Sequence, residues 1–396
     1  MGKSCSIFSF FSGSGFLDLG FELSGFNVVY ASDYFSPFMR AYRYSREKLN
    51  LPLPKYGCHE GEQGNVVSYL EGLPKLQLAD LLTDARKNVD IVGFIGGPPC
   101  PDFSVGGKNR GRDGNQGKLS EAYFELISQQ KPDFFLFENV KGLWRTKKHR
   151  EFFEELKQKA YQSGYILTER LINSIEFGVP QDRERIILLG FRAEVVGNIG
   201  IQLNNHKTLI QGRFPWLSQS LFLKEKVFSY PWPRINLFSE NSSLNCPSEI
   251  PRELTAEHWF RINNVANHPN SKHHFKPQAG LNKFLSINEG DDSKKSFKRL
   301  HRWRYSPTVC YGNNEVHLHP YKARRLSVAE SLALQSLPKN FSLPPELSLT
   351  NMFKTVGNGV PYLASKAIAQ MIIQFLESPQ NSYEILANEQ LELPLV

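Results

Sequence analysis

The sequence contains few cysteines and no long apolar run. Its five cysteines are odd in number and widely separated, which is typical of a reducing compartment rather than of a secreted chain held by disulfides. No segment approaches the roughly 18–20 continuous apolar residues of a membrane span. The amino terminus enters a predicted strand almost at once, without the charged, apolar and cleavage regions of a secretion signal. We therefore expect a cytoplasmic protein with no membrane association.

Potential metal ligands are also sparse. No two cysteines have the spacing of zinc ligands. His273-His274 and the pair His317 and His319 have no cluster of cysteines or carboxylates beside them in the sequence. We therefore predict no metal site.

Acidic side chains are outnumbered by basic ones, 39 to 47, which gives a net charge of +8. This excess favours a polyanionic partner. The segment 293–304 places six Lys and Arg residues among Phe297, His301 and Trp303. A solvated charged face would have the same charge, but the interleaved aromatic side chains favour contact with nucleic acid.

The chain is long enough, at 396 residues, for two domains. Short continuous apolar runs alternate with amphipathic helical patterns, which predicts an α/β fold with a doubly wound, mostly parallel, Rossmann-like sheet. Residues 45–63 are polar and are predicted to be a loop, with Asn65-Val66-Val67 in the third strand. From residue 192 the sequence becomes rich in Asn, Pro, Ser and His and only weakly periodic. We predict a first domain over 1–191, completed by 340–396, and a smaller, loop-rich second domain over 192–339.

Cys100 follows a predicted buried strand, Asp90 to Ile95, and a stiff Gly-Gly-Pro-Pro turn. This places a thiol at the carboxyl end of a strand, where ligands bind in open α/β sheets. The Gly-rich, charged stretch 104–118 then resembles a mobile lid. Taken alone, the cysteine could be a nucleophile or a small buried apolar residue.

Three further strand ends and the start of another strand are predicted to carry functional residues. The first strand runs into a Gly-x-Gly turn and a helix, and the second ends at Asp33, where a carboxylate can accept hydrogen bonds from ribose. Tyr34 could stack on a base. Glu138 follows four apolar residues, and a buried carboxylate there needs a partner or a chemical role. Arg183 and Arg185 alternate at the start of another strand and so face the same side.

Six motifs occur in a fixed order along the chain. They are F-x-G-x-G (11–15), P-P-C (98–100), E-N-V (138–140), Q-x-R-x-R (181–185), a stretch that begins at Arg324 or Arg325 and includes Gln335 and Pro338, and G-N-x-V-P (357–361). In their order and spacing the chain resembles the C5-cytosine DNA methyltransferases, everywhere except 192–305. The resemblance implies a class I S-adenosylmethionine-dependent methyltransferase fold, with the second domain as a target-recognition domain.

The resemblance also implies catalytic roles. Cys100 would add to C6 of cytosine, since covalent addition makes C5 nucleophilic enough to accept a methyl group. Glu138 would donate to N3, Arg185 would hold O2, and Arg183 would support Glu138 and the adjoining loop. The target cytosine would be turned out of the duplex.

S-adenosylmethionine is the implied cofactor. The residues implied to bind it are Phe11, Gly13, Gly15, Asp33, Tyr34, Asn65, Pro99, Leu119 and Asn358. The sequence departs from the family pattern at Phe16 (usually Gly), Asp33 (more commonly Glu), Asn65 (usually Asp) and Pro101 (usually Gln). None of these changes removes an essential chemical group.

Double-stranded DNA is the implied substrate. Ser104, Lys108, Arg110 and Arg112 of the predicted lid and Lys272, Lys276, Arg299, Arg302 and Arg304 of the predicted recognition domain are expected to contact it. We expect a monomeric DNA (cytosine-5-)-methyltransferase in a prokaryotic cytoplasm, associated with the nucleoid, in a restriction-modification system whose endonuclease acts independently. The alternatives are a tRNA cytosine-5 methyltransferase of the same superfamily and a catalytically inactive DNA-binding relative.

Overall fold

The structure, a computed structural model, describes residues 3–99, 117–198, 214–277, 281–294, 296–309 and 317–377. Seven of its strands form one sheet in the order β3-β2-β1-β4-β5-β8-β6. Strand β8 is antiparallel to both of its neighbours, and the other adjacent pairs are parallel. These strands are β1 Cys5–Phe10, β2 Asn27–Asp33, β3 Cys58–Glu60, β4 Ile91–Gly96, β5 Phe134–Val140, β6 Tyr165–Asn173 and β8 Glu184–Arg192.

The remaining strands have two residues each. They are β7 Gln181–Asp182, β9 Lys298–Arg299, β10 Ser306–Pro307 and β11 His317–Leu318. Strand β7 pairs with β10, and β9 pairs with β11. The first of these pairings joins the segment ahead of β8 to a distant part of the chain.

Helices cover both faces of the large sheet. The helices of the described residues are α1 Phe16–Glu22, α2 Ser36–Lys48, α3 Gly72–Arg86, α4 Gly117–Gln130, α5 Lys141–Arg145, α6 Lys147–Gln162, α7 Ala193–Asn198, α8 Lys224–Ser229, α9 Ala256–Ile262, α10 Leu281–Ser286, α11 Val328–Leu334, α12 Leu349–Asn358 and α13 Tyr362–Glu377. Short 3-10 helices cover Gly61–Gly64, Val66–Leu70, Ser174–Phe177 and Arg252–Leu254.

The sheet is buried on both faces, which explains the continuous apolar runs of its strands. Ile7 of β1 packs into a core with α1 and α13, while its neighbour Phe8 packs on the other face with α3, α4 and α6. All six residues of β1 are buried. The observed architecture confirms the predicted doubly wound, mostly parallel α/β sheet.

The third strand differs from its prediction. Ser45–Lys48 belong to α2 rather than to a loop, and β3 is formed by Cys58–Glu60. The Asn65 side chain instead caps a 3-10 helix, accepting a hydrogen bond of 3.1 Å from the Val67 amide. Strand β3 has three partly exposed residues at the sheet edge, so it lacks the apolar run by which the inner strands were predicted.

The carboxyl-terminal helix packs on the first helix of the chain. The Ser365 hydroxyl donates to the Leu17 carbonyl at 2.5 Å, and a Cβ on Gly20 would lie only 2.3 Å from the Ser365 oxygen. Glycine at position 20 therefore allows α1 and α13 to approach closely. Helix α11, predicted within the second domain, shares an apolar cluster with α1 and α12. The domain boundaries at 192 and 339 remain predictions.

Candidate active site

The parallel strands β1, β2, β4 and β5 end at one edge of the sheet, and the first predicted motif lies there. Phe11, Gly13 and Gly15 all have positive φ angles, of 53°, 58° and 83°. A Cβ on Gly15 would lie 2.9 Å from the ring of Tyr42, so this turn needs glycine for space as well as for conformation. A Cβ on Gly13 would meet no described atom within 4 Å. The backbone at Gly13 is therefore open to close approach by a ligand.

Asp33 lies beside this turn, at the end of β2. One carboxylate oxygen, Oδ2, accepts from the Gly13 amide at 3.0 Å, and Oδ1 accepts from the Phe35 amide at 2.8 Å. Burial raises the pKa of Asp33 to about 6, although these hydrogen bonds and the positive charge of Lys354 act in the opposite direction. Both oxygens are held in place and each keeps a further lone pair. This arrangement fits the two hydroxyls of a ribose.

The other predicted cofactor residues have different surroundings. Tyr34 is 58% exposed, and Asn358 is exposed at the end of α12. Phe11 and Leu119 are partly buried against the core that contains Tyr123. The predicted acceptor oxygen of Asn65 already receives the Val67 amide, so it has one lone pair left for another donor.

The Lys354 ammonium joins α12 to the Asp33 region. It lies 4.5 Å from the ring centroid of Phe35 and 5.7 Å from that of Phe38. Sequence reasoning missed this residue, because a lysine four positions before Asn358 gave no sign of a contact with the segment after β2. Together with the open turn and the oriented carboxylate, these side chains fit a nucleoside-bearing cofactor.

Glu138 forms the acidic centre of the site. It is buried at the end of β5, and Nε of Arg185 lies 3.1 Å from its Oε1. Burial raises the pKa of Glu138 above the ordinary glutamate value, while Arg185 and Arg183 act in the opposite direction. A carboxyl group in this state can hold and donate a proton closer to neutral pH than an exposed glutamate can.

The turn before Cys100 is built around Glu138. A Cβ on Gly97 would lie 2.8 Å from Oε2 of Glu138, so the absence of a side chain leaves room for the carboxylate. Asn139 donates from Nδ2 to the Pro98 carbonyl at 3.5 Å, and its Oδ1 accepts from the Val140 amide at 2.8 Å. This second residue of E-N-V was given no role from the sequence. Cys100 itself lies outside the described residues, while Pro99, just before it, is partly buried.

Arg183 has a buried position that is distinct from that of Arg185. Its Nη2 donates to the carbonyls of Gly357 and Gly359, both at 3.0 Å. These carbonyls flank Asn358. Arg183 thus contacts the predicted cofactor loop, and its charge partly offsets the rise that burial causes in the pKa of Glu138. Its positioning role stays a prediction.

The residues predicted to bind DNA divide into four groups. Ser104, Lys108, Arg110 and Arg112 lie outside the described residues. Lys272 and Lys276 are exposed, as a phosphate contact requires. Arg304 is partly buried and forms an ion pair with Asp292.

The prediction that Arg299 and Arg302 contact DNA is wrong. They are 0% and 4% exposed. Arg299 donates to the carbonyls of Phe284, Ile287, His319 and Lys322. Arg302 forms an ion pair of 2.8 Å with buried Glu289 and donates to the Ser242 carbonyl. In this loop-rich segment the two guanidinium groups satisfy buried acceptors that regular secondary structure would otherwise pair.

In the described part of the chain, no helix is long and apolar enough to cross a membrane. Across the same residues, no group of three or more His, Cys, Asp and Glu side chains is arranged to hold a metal ion.

Comparison with known proteins places this site in a family. The family profile for C-5 cytosine-specific DNA methylases matches residues 5–374. Type II methyltransferase M.NmeDI of Neisseria meningitidis serogroup C is 52% identical over 382 residues, covering 96% of this chain and 86% of that protein. Type II methyltransferase M.MthTI of Methanothermobacter thermautotrophicus is 28% identical, covering 95% and 99%.

Solved structures share the fold at low sequence identity. A DNA modification methyltransferase encoded within an E. coli prophage has a TM-score of 0.62 at 20% identity, covering 95% of this chain and all of that one. The S. pombe Dnmt2 methyltransferase has a TM-score of 0.58 at 14% identity, covering 95% and 99%. The family match extends over nearly the whole chain and includes the strand ends that carry Asp33 and Glu138. The chain therefore belongs to the C-5 cytosine-specific DNA methylase family, with S-adenosylmethionine as its methyl donor.

Proposed function

We propose that this protein is a sequence-specific DNA (cytosine-5-)-methyltransferase of a type II modification system. It methylates C5 of a cytosine that has been turned out of duplex DNA. One observation carries the proposal: a buried carboxyl group, Glu138, is paired with Arg185 directly beside the turn that leads to Cys100. Covalent activation of a pyrimidine requires an acid and a cation that stabilise the charge placed on the ring, and Glu138 and Arg185 supply these two groups.

Cys100 starts the reaction. Its thiolate adds to C6 of the cytosine, and the electron pair of the C5–C6 double bond moves into the ring toward N3. This converts C5 into an enamine carbon that can attack an electrophilic methyl group. After methylation, loss of the C5 proton to a base and departure of the thiolate restore the aromatic ring.

Glu138 and Arg185 stabilise the charge that the addition places on the ring. The carboxyl group of Glu138 donates its proton at N3 and takes it back when the thiolate leaves. Arg185 holds O2 while its Nε fixes the carboxyl by the 3.1 Å contact. Desolvation keeps Glu138 protonated at a higher pH than an exposed glutamate, as a general acid needs. Arg183 acts as a positioning residue, through the Gly357 and Gly359 carbonyls.

The cofactor residues bind and orient the methyl donor. S-adenosylmethionine, when bound, supplies an electrophilic methyl group on a sulfonium. Asp33 accepts hydrogen bonds from its ribose, with Gly13 leaving space for close approach. Phe11, Gly15, Tyr34, Asn65, Pro99, Leu119 and Asn358 complete the proposed pocket.

The protein binds its duplex DNA substrate as a monomer. The residues proposed to contact DNA are Ser104, Lys108, Arg110 and Arg112, with Lys272, Lys276 and Arg304. The relatives are named type II methyltransferases, which supports protection of host DNA against a separate endonuclease. Location in the cytoplasm at the nucleoid remains a prediction.

Adduct trapping tests this function. Genomic DNA of mixed sequence, prepared with 5-fluorocytosine in place of cytosine, is incubated with enzyme and S-adenosylmethionine. Fluorine at C5 cannot leave as a proton does, so the wild-type enzyme should form an adduct that resists denaturation. Cys100→Ala should form none, and Cys246→Ala, which changes a partly exposed cysteine elsewhere, should behave as the wild type does.

The same preparation distinguishes the substrate classes. Tritium from labelled S-adenosylmethionine should appear in duplex DNA and not in tRNA. The reverse distribution would favour the RNA branch of the superfamily. An adduct with Cys100→Ala would contradict the catalytic assignment, and bisulfite sequencing of host DNA after expression would identify the modified site.

A further inference from the structure

Two buried amide side chains, Gln181 and Gln335, are bonded to one another. Both are 0% exposed. The Gln181 Nε2 donates to Oε1 of Gln335 at 3.2 Å and to the Leu334 carbonyl at 3.0 Å. Its Oε1 accepts from the Val309 amide at 2.9 Å. Each glutamine lies in one of the six motifs, and the catalytic proposal uses neither.

The Gln335 side of this amide bridge reaches the loop that contains Asn358. Its Nε2 donates to the Val356 carbonyl at 2.5 Å and to the Gly359 carbonyl at 3.4 Å. Its main-chain carbonyl accepts from the Tyr362 amide at 3.0 Å. The end of α12 and the start of α13 are therefore both attached to one residue at the end of α11.

Gln181 connects the bridge to the segment whose Arg185 pairs with Glu138. Gln181 lies in β7, two residues before Arg183 and four before Arg185. Strand β7 pairs with β10, which ends two residues before Val309. One pair of side chains thus joins four segments distant in sequence: 181–185, 306–309, 334–336 and 356–359.

The hydrogen bonds of this bridge fix the orientation of both amide groups. Each amide group uses both its NH₂ and its carbonyl oxygen, so neither side chain can rotate by half a turn without facing donors with donors. A buried carbonyl that loses its donor has no water to replace it, which makes displacement costly. The bridge is therefore suited to hold a geometry and is more than a space-filling contact.

We propose that the Gln181–Gln335 amide bridge positions the 356–359 cofactor loop against the strand that carries Arg185, and transmits cofactor binding to the 306–309 segment. Both glutamines are positioning residues. The inference rests on the proposed role of Asn358 in cofactor binding. It predicts that the bridge matters for S-adenosylmethionine affinity even in the absence of DNA.

A double-mutant cycle tests the bridge. Gln181→Met and Gln335→Met keep side-chain length and remove the amide hydrogen bonds. Each should weaken S-adenosylmethionine binding about tenfold by calorimetry without DNA, since about 1.4 kcal/mol corresponds to a factor of ten. The double variant should be no weaker than the worse single variant, because both changes break one bridge. Independent, multiplying effects, or affinities within twofold of wild type, would overturn the proposal.

Asn270 provides a matched control. It is also a fully buried amide, and it pairs with the backbone of Leu343 through two hydrogen bonds of 2.9 Å. Asn270→Leu should lower the melting temperature and leave cofactor affinity within twofold. If it weakened cofactor binding as much as Gln335→Met, the effect would be general destabilisation and the proposal would fail.

A measurement on the wild-type protein needs no variant. Hydrogen exchange of the Val309 amide, which donates to Gln181, should slow when S-adenosylhomocysteine is added without DNA. Unchanged exchange at Val309, with protection restricted to 357–363, would contradict the transmission. Asn358→Ala separates this inference from the proposed pocket. If that variant binds the cofactor normally, the role of Asn358 is wrong; if it binds weakly while the glutamine variants bind normally, only the bridge is wrong.

Discussion

Gly97 has no side chain at a point where one would strike the carboxylate of Glu138. Its φ angle does not lie in the left-handed region, so alanine is acceptable to the backbone and only the contact of 2.8 Å with Oε2 is at issue. Gly97→Ala should displace the carboxyl group from its place beside Arg185. We expect kcat to fall by about tenfold to a hundredfold, since a displacement of about 1 Å can cost this much. Single-turnover methylation of duplex DNA measures the change.

Gly197→Ala is the matched control for this substitution. Gly197 also has an ordinary φ angle, and a Cβ there would meet no described atom within 4 Å. The control should retain wild-type rates. Equal rates for wild type and Gly97→Ala would show that the catalytic geometry does not depend on this contact.

The cofactor carboxylate gives a pH prediction. Asp33 must be ionised to accept two ribose hydroxyls, and burial raises its pKa to about 6. Cofactor affinity should therefore fall as pH decreases through about 6, approaching tenfold per pH unit below that value. Calorimetry with S-adenosylhomocysteine between about pH 5 and 7 measures it, and Asp33→Asn should bind more weakly with a flat profile. The same slope in that variant would assign the titration to another group.

The raised pKa of Asp33 also has a consequence for stability. The folded state holds this proton more tightly than the unfolded state, whose carboxyl keeps its ordinary value of 3.8. The stability that Asp33 contributes is therefore fully present below about pH 4 and is lost as pH rises through about 6. At neutral pH this contribution to stability is absent, and Asp33 is ionised and able to accept hydrogen bonds at the end of β2.

Helix α11 begins with a complete capping box, in which Ser327 and Glu330 bond to each other's backbone amides. Arg324 pairs with both oxygens of Glu330 at 2.7 and 2.8 Å. Although burial acts in the opposite direction, His319, Arg324 and the Ser327 amide lower the pKa of Glu330 to about 2. Glu330→Gln should reduce the free energy of unfolding by about 3 kcal/mol, because it leaves a largely buried guanidinium without its anion. Urea denaturation at neutral pH measures this loss.

Acid sensitivity provides a second readout for Glu330. Its contribution to stability is present above about pH 4.5 and is lost as pH falls toward 2, so Glu330→Gln should lack this part of the acid transition. Glu346→Gln changes an exposed glutamate and should stay within about 0.5 kcal/mol of wild type. Wild-type stability for Glu330→Gln would contradict the structural role of the ion pair.

Helices and strands could be predicted from the sequence where their local pattern of residues was strong. The inner strands were predicted because burial on both faces demands continuous apolar residues. Strand β3 was missed because a half-exposed edge strand needs no apolar run. Asn65 was placed in a strand, although an asparagine before Val66–Leu70 is also a typical helix cap.

Across the whole molecule, the basic charge divides into surface and interior groups. Lys272 and Lys276 are exposed, whereas Arg299 and Arg302 are buried and donate to acceptors inside the protein. Changing both lysines to Ala should weaken DNA binding and reduce the slope of log K against log salt by up to about 1.8, since each phosphate contact contributes about 0.9. Binding titrations at several salt concentrations measure the slope.

Lys87 is the control for this charge change. It is exposed at the end of α3, near the amino-terminal edge of the sheet and away from the cofactor turn. Lys87→Ala should leave the slope unchanged. An unchanged slope in the double lysine variant would remove Lys272 and Lys276 from the DNA interface.

Arg299 and Arg302 show why the second half of the chain was harder to predict than the first. In the sheet, the pattern of apolar residues along a strand reflects which residues are buried. A residue's position in that pattern therefore indicates what it contacts. Much of the described backbone between 214 and 309 lies outside helices and strands, and some of its carbonyls accept hydrogen bonds from distant side chains, as Ile287 does from Arg299. The basic and aromatic segment 293–304 was therefore taken for a surface, whereas its residues 299–303 are buried. The Gln181–Gln335 contact, 154 residues apart, has the same character.

The packing of α13 on α1 brings the two ends of the described chain together. Glu377 lies close enough to Cys5 for its charge to affect the thiol, and α13 occupies the same layer as α1. A short linker could therefore join the end of α13 to the start of β1. We expect a circular permutant with new ends between α11 and α12, so that 349–377 precede β1, to form the same sheet and the same site. The family's motif order would then be a historical arrangement of the gene, and the geometry of the site would not depend on it.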